Sequence, residues 1–285
     1  MNEIVNQISR LIDIRTDIIE ALKENNDPDV LATIDGDIDN AKYADLVPAV
    51  QELKSDLGAL ASYVQRNTTL MNPEVLEGIT EIRPSGFRDW PSLALTSLPS
   101  GITSIGANAF YNCTSLALTS LPSGITSIGD SAFRGCSSLA LTSLPSGITS
   151  INTYTFYNCA NLALTSLPSG ITSIGANTFY GCTKLALTSL PSGITSIGNY
   201  TFRGCSKLAL TSLPSGITSI GSNTFQGCTS LTTLTFLGTP SGSIDSTAFT
   251  GCTNLLTINV PWASGARPGA PWGATNATIN YNYIP

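Results

Sequence analysis

The chain has 285 residues, 42% hydrophobic and 11% charged, with no histidine and a net charge of −6. Ordinary apolar content argues against disorder, and the missing imidazole excludes Ser-His-Asp and Cys-His catalysis, His-ligated metals and an imidazole pH switch. The acidic balance argues against nucleic acid as a partner, and no apolar run of about 18 residues offers a membrane span.

The opening MNEIVNQISRL lacks the basic and apolar regions of a secretory signal. The expectation is a protein not exported by that route, or one whose leader lies outside this sequence. Residues 1–66 hold six basic and thirteen acidic residues, whereas residues 67–285 hold seven basic and six acidic. This split separates a charged head from a nearly uncharged body.

The head reads as helical. Ile4, Ile8, Leu11, Ile18 and Leu22 form one stripe, widened by Val5, Ile12 and Ile19, over about residues 2–24. The segment NNDPDVLATIDGDIDN interrupts it with Pro28 and Gly36. Leu46, Val50, Leu53, Leu57, Leu60 and Val64 then follow an unbroken 4-3-4-3-4 spacing. Asp45 is a candidate N-cap and Pro48 sits in the first turn. Two arrangements satisfy this pattern: a hairpin packed on itself or on the first turn of the body, and a dimeric or trimeric bundle. Residues 1–66 are assigned as a helical oligomerisation or attachment head, and 67–92 as a linker and N-terminal cap turn.

The body is a repeat. Leu93, Leu116, Leu139, Leu162, Leu185, Leu208 and Leu231 are each 23 residues apart, and a looser turn of 24 reaches Leu255. Backwards, Phe87 lies 23 residues before Phe110, and Trp90 falls where Cys113 falls. A fixed period of this length predicts a β solenoid of about eight turns, with degenerate end turns as caps. Residues 93–254 are its repeats and 255–285 its C-terminal cap.

Within one turn the apolar columns are Leu93, Leu95, Leu98, Ile102, Ile105, Phe110 and Cys113. Alternation in LALTSLP predicts a short strand with Leu93 and Leu95 inward and Ala94 and Thr96 outward. Ile102 and Ile105 would form a second edge, and Phe110 would close the third side. Two columns hold Gly, Asn or Asp throughout the repeats. One follows the second Ile (Gly106, Gly129, Asn152, Gly175, Gly198, Gly221), and the other precedes the Cys (Asp89, Asn112, Gly135, Asn158, Gly181, Gly204, Gly227, Gly251). Both are expected as corners with positive φ. A phosphate cradle lacks its Lys-Ser/Thr pair here.

All seven cysteines occupy one column: Cys113, Cys136, Cys159, Cys182, Cys205, Cys228 and Cys252. No close pair suits zinc. Disulfides between adjacent turns are the alternative to a ladder of interior thiols, but in-register side chains point in parallel and seven is odd.

The pattern C-x-x-L-x-L-x-x-L-P…I-x-x-I-G-x-x-x-F-x-x-C resembles the BspA-like (Treponema-type) leucine-rich repeats of bacterial surface proteins, over roughly residues 76–260. That resemblance implies a right-handed β solenoid with little helix, and a role in binding proteins or surfaces rather than catalysis. The repeats here are nearly identical, unlike typical members, which leaves few positions to encode a ligand. IRTDIIEALKENN and YADLVPAVQEL look like the helical heads of tail-fibre-like proteins of gut phages and prophages. VPWASGARPGAPWGATNATINYNYIP resembles the terminal cap that follows such repeats in those proteins.

Specificity must come from the columns that vary. One follows the Phe: Arg88, Tyr111, Arg134, Tyr157, Tyr180, Arg203, Gln226 and Thr250. The other is Asn108, Ser131, Tyr154, Asn177, Tyr200, Asn223 and Thr247. Tyr111, Arg134, Tyr154, Tyr157, Tyr180, Tyr200 and Arg203 are the candidate binding face, because Tyr and Arg carry binding energy and Tyr faces stack on sugars. The competing reading is a solvated ridge held by Tyr–Arg stacking. The expected function is non-enzymatic, with no cofactor or metal: a phage or prophage virion appendage presenting the solenoid to a host surface. The alternative is a bacterial cell-surface adhesin. Expected partners are copies of the chain, other virion or surface proteins, and host glycan. Deleting residues 1–66 should convert an oligomer into a folded monomeric solenoid by light scattering, and a full-length monomer at high concentration would refute the head's assignment.

Overall fold

The computed structural model describes residues 79–266 and 268–284, all within one compact unit. The helical head, with the stripe Leu46, Val50, Leu53, Leu57, Leu60 and Val64, lies outside the described residues.

Over these residues the chain winds as a solenoid of parallel turns. Two-residue strands mark one edge: β1 (Glu81–Ile82), β2 (Ser104–Ile105), β3 (Ser127–Ile128), β4 (Ser150–Ile151), β5 (Ser173–Ile174) and β6 (Ser196–Ile197). After β7 (Ser212–Leu213) on another side, β8 (Ser219–Ile220) continues that edge. Pairing is in register one turn apart, as in Glu81 with Ser104 and Ile82 with Ile105. The strands thus fall on the Ile-Thr-Ser-Ile edge and not, in the early turns, on LALTSLP. Each LALTSLP ends in a proline that has no N–H to donate, and its recurring inter-turn bond runs from the Ala, as in Ala117 N–H to Leu95 O at 3.0 Å. Past Leu231 the repeat gives way to alternating Thr-Leu-Thr-Phe, whose residues suit a pleated strand. There β9 (Thr233–Phe236), β10 (Thr257–Asn259) and β11 (Thr278–Asn280) join β7 in a four-stranded sheet, in the order β11-β10-β9-β7.

The inward columns match the alternation. Leu93, Leu95, Leu98, Ile102, Ile105, Phe110 and Cys113 are buried, while Ala94 and Thr96 are exposed. The phenylalanines from Phe87 to Phe249 stack in one column, with neighbouring centroids 5.2–5.7 Å apart and planes within 3–11° of parallel. That column has eight levels. The cap supplies a ninth, where the Trp272 carbonyl accepts the Phe249 N–H at 2.9 Å and the Trp272 ring is fully buried. Trp262 and Trp272 meet Phe236 at 5.3 and 6.0 Å, which seals the last turn with aromatic area. Thr155, Thr178, Thr201 and Thr224 are buried in the column that holds Ala109, Ala132 and Ala248 in other turns. Their hydroxyls are satisfied, as in Thr178 Oγ1 donating to Gly175 O at 2.6 Å and Asn152 O at 3.0 Å.

All seven cysteines are buried free thiols. Each donates to the carbonyl of the Phe in the preceding turn, at 2.9–3.1 Å. Burial pushes them up, Cys113 to about 11 and Cys252 to about 12, and the five between are raised as well.

The two Gly-rich columns do different jobs. Before the Cys, every residue is left-handed, from Asp89 at φ 55° to Gly135 at 77°. After the second Ile, none is. Glycine is needed there for space: a Cβ at Gly129 would stand 2.8 Å from the Gly106 carbonyl carbon, and one at Gly175 would stand 2.8 Å from that of Asn152. Asn152 carries a Cβ in this column, and here the edge ladder breaks. β1-β2-β3 and β4-β5-β6-β8 are separate sheets, with no pairing between β3 and β4. At Gly129 and Gly175 the backbone N–H donates to the second Ile of the preceding turn at 2.8 Å, whereas at the break Asn152 Nδ2 takes the Ile128 carbonyl at 2.8 Å. The seam is confined to one side, because Phe133 N–H still reaches Thr155 O at 2.9 Å and Ala163 N–H reaches Leu141 O at 3.0 Å.

Asn152→Gly should close the seam. The regained backbone bond replaces the Asn152 Nδ2 bond to the same Ile128 carbonyl, so glycine's entropy cost of roughly 0.5–1 kcal/mol remains. Stability should therefore fall by no more than that while hydrogen exchange slows at the residue 152 amide; unchanged exchange there would refute the steric account. The thiols make two further outcomes measurable. Seven should react after unfolding without reductant, and none in the native protein at neutral pH. Unfolded thiols ionise near 9.0 while the folded ones hold their protons, so this stabilisation is present below pH 9 and is lost as pH rises toward 11 and beyond. Urea midpoints across that range should fall.

Candidate functional site

Each Phe faces inward, so the residue after it faces outward, and the period brings these residues into one column. Arg88 is exposed, and Tyr111, Arg134, Tyr157, Tyr180 and Arg203 are half-buried. The Arg88 guanidinium lies 4.8 Å from the Tyr111 ring, and Arg134 lies 5.4 Å from Tyr111 and 4.8 Å from Tyr157. Tyr157 stacks on Tyr180 at 4.6 Å and 16°, and Arg203 lies 5.3 Å from Tyr180. The structure therefore assembles the candidate residues into one stack, Arg-Tyr-Arg-Tyr-Tyr-Arg. Each cation–π contact contributes about 0.5–1 kcal/mol at such exposure.

This geometry revises one expectation. Ring faces in the column are occupied by the rungs above and below, so Tyr111, Tyr157 and Tyr180 offer edges and hydroxyls rather than faces for sugar stacking. Burial and then the neighbouring Tyr180 push the Tyr157 hydroxyl above the usual tyrosine range.

Tyr154 and Tyr200 stand beside the stack. Tyr154 lies 5.0 Å from the Arg134 guanidinium and meets Tyr157 at 5.6 Å with a 56° tilt, and Tyr200 lies 5.6 Å from that of Arg203. Both are left-handed at φ 58°. The same column is left-handed at Ser85, Asn108, Ser131, Asn177 and Asn223, with φ between 51° and 58°. Sequence reading missed this constraint; the recurrent Asn was its signal. A left-handed L-residue costs roughly 1–2 kcal/mol, which short polar side chains relieve by local hydrogen bonds and Tyr does not. Tyr154 and Tyr200 are thus the strained members of the column.

Charge on the flank is unbalanced. Arg88 pairs with Asp89 at 3.1 Å, but Arg134 and Arg203 have no carboxylate partner among the described residues. No group of three metal-ligating side chains occurs among the described residues. A groove of about 290 Å³ runs along the strand edge from Glu81 to Asn152, lined by backbone, Ser104, Ser127 and one carboxylate. It offers no second titratable side chain for acid–base work.

A solenoid of leucine-rich turns with an outward-facing polar ladder defines the class. The chain belongs to the family described as the BspA type leucine rich repeat region, whose profile matches residues 59–186 and 172–264. Among solved structures it is similar to the Treponema pallidum leucine rich repeat protein, at 32% identity and a TM-score of 0.47, over 54% of this chain and 73% of that one. It is also similar to a leucine rich cell surface protein of Faecalibacterium prausnitzii, at 29% identity and a TM-score of 0.46, over 71% of this chain. The match spans 62% of that second protein. The pneumococcal vaccine antigen PcpA matches at 16% identity and a TM-score of 0.37, over 72% of this chain and 67% of that one. No curated protein sequence matches the chain.

Proposed function

We propose that the protein is a non-enzymatic binding protein of a bacterial cell surface, an adhesin that attaches through the Tyr–Arg flank of its solenoid. The observation that carries this reading is the concentration of variation. Core columns repeat almost unchanged, whereas the two outward columns change from turn to turn and collect tyrosine and unpaired arginine in one place. Membership of the BspA-type family supports the surface-protein reading over the virion appendage, which rests on the head and the closing segment. Presentation as a dimer or trimer through residues 1–66 is part of the proposal.

The test is attachment of labelled protein to intact epithelial and bacterial cells. The double variant Tyr157→Ala/Tyr180→Ala should fold, lose about 1 kcal/mol of stability from the broken stack, and attach on the order of tenfold more weakly. Equal attachment by parent and variant would overturn the assignment of the flank.

A further inference from the structure

Two features of the flank depart from the rest of the repeat. Tyr154 and Tyr200 hold bulky rings at left-handed positions where the other described turns with this geometry place Ser or Asn. Backbone strain that packing does not require marks functional positions. Neither ring is stacked face to face on another aromatic among the described residues, unlike Tyr157 and Tyr180. Each carries a guanidinium against one side of its ring, Arg134 at 5.0 Å and Arg203 at 5.6 Å, and no aromatic ring lies parallel to the other side among the described residues. The guanidiniums beside them, Arg134 and Arg203, are covered on their flat sides by tyrosine and meet no carboxylate. Stacking occupies the face of a guanidinium and leaves its N–H edge to donate.

The flank therefore contains the same pair of parts twice, an off-column Tyr beside a stacked Arg: Tyr154 with Arg134, and Tyr200 with Arg203. Tyr154 and Tyr200 are two turns apart, and parallel turns rise by about 4.8 Å each, so the platforms stand roughly 10 Å apart along the axis. One turn rises by about the length of a pyranose in an extended glycan, so successive sugars would meet successive turns. Between the platforms the Tyr157 and Tyr180 edges add hydroxyl donors.

We propose that this flank binds an acidic polysaccharide laid along the solenoid axis, with sugar rings on Tyr154 and Tyr200 and its acid groups on Arg134 and Arg203. The proposal rests on the flank being the attachment surface and specifies its ligand. An acidic peptide would satisfy the arginines but would leave two strained aromatic platforms without purpose, so the paired parts favour a sugar acid.

The probes are hyaluronan and polygalacturonate as acidic glycans, a neutral galactan, and poly-glutamate, tested against the full chain by calorimetry or biolayer interferometry. The parent should bind at least one acidic glycan on the order of tenfold more tightly than galactan or poly-glutamate. Tyr154→Asn/Tyr200→Asn places a residue already tolerated at Asn108, Asn177 and Asn223, so it should melt no lower than the parent while losing about tenfold in affinity for the acidic glycan. Arg134→Gln/Arg203→Gln should bind acidic and neutral glycans alike. Equal binding of poly-glutamate, preference for galactan, failure to bind either acidic glycan, or full affinity in the Asn variant would each overturn the proposal. If cells are bound through Tyr157 and Tyr180 while the acidic glycans are not, the attachment surface stands and the ligand assignment falls. If neither is bound, both fall.

Discussion

A turn of 23 residues encloses one layer of side chains, and that layer has no floor or ceiling except the copies below and above it. Every inward position is therefore judged against itself one turn away. Phenylalanine stacks on phenylalanine, each thiol reaches the carbonyl of the previous turn, and threonine replaces alanine only where its hydroxyl finds carbonyls in two turns. A substitution that suits one layer but not its neighbours is penalised twice. That explains why the interior columns barely change and why tryptophans appear only in the end turns, where Trp90 and the Trp262–Trp272 pair terminate the stack.

The same constraint made much of the fold legible. Invariance at period 23 identified the inward columns from Leu93 to Cys113, and the Asn/Gly/Asp column before the cysteines announced its positive φ. The column after the second Ile was misread because glycine answers two demands, unusual φ and absence of a Cβ, and composition does not separate them. Asn152 made the error easy: asparagine tolerates left-handed backbone, yet here it marks a turn that stands off from its neighbour. The strand position was also misjudged: LALTSLP alternates like a strand, yet among these stretches only Ser212–Leu213 pairs as one, where Thr233–Phe236 supplies its partner.

The placement of the candidate residues was legible, and their presentation was not. One residue past an inward Phe must face outward, and Tyr111 through Arg203 share one flank. Whether tyrosine faces meet solvent or each other depends on the distance between turns. At 4.6 Å between Tyr157 and Tyr180 the rings fill the gap, and that distance is a property of the stack rather than of any one turn. The left-handed backbone at Tyr154 and Tyr200 was hidden for a related reason: two tyrosines in a column of Asn and Ser look like surface variation until the dihedrals are known.

The seam at Asn152 gives this stack a preferred direction of bending. A rod whose layers are bonded all round is stiff, but between β3 and β4 the Ser-Ile edge lacks its ladder while the remaining sides keep theirs. Flexure there opens the unbonded edge and pivots on the bonded ones. The Arg134 guanidinium lies against Tyr154 and Tyr157 directly across this joint, at 5.0 and 4.8 Å. The ladder thus crosses the turn boundary at which the Ser-Ile edge has no backbone pairing, and anything laid along the flank spans that boundary as well.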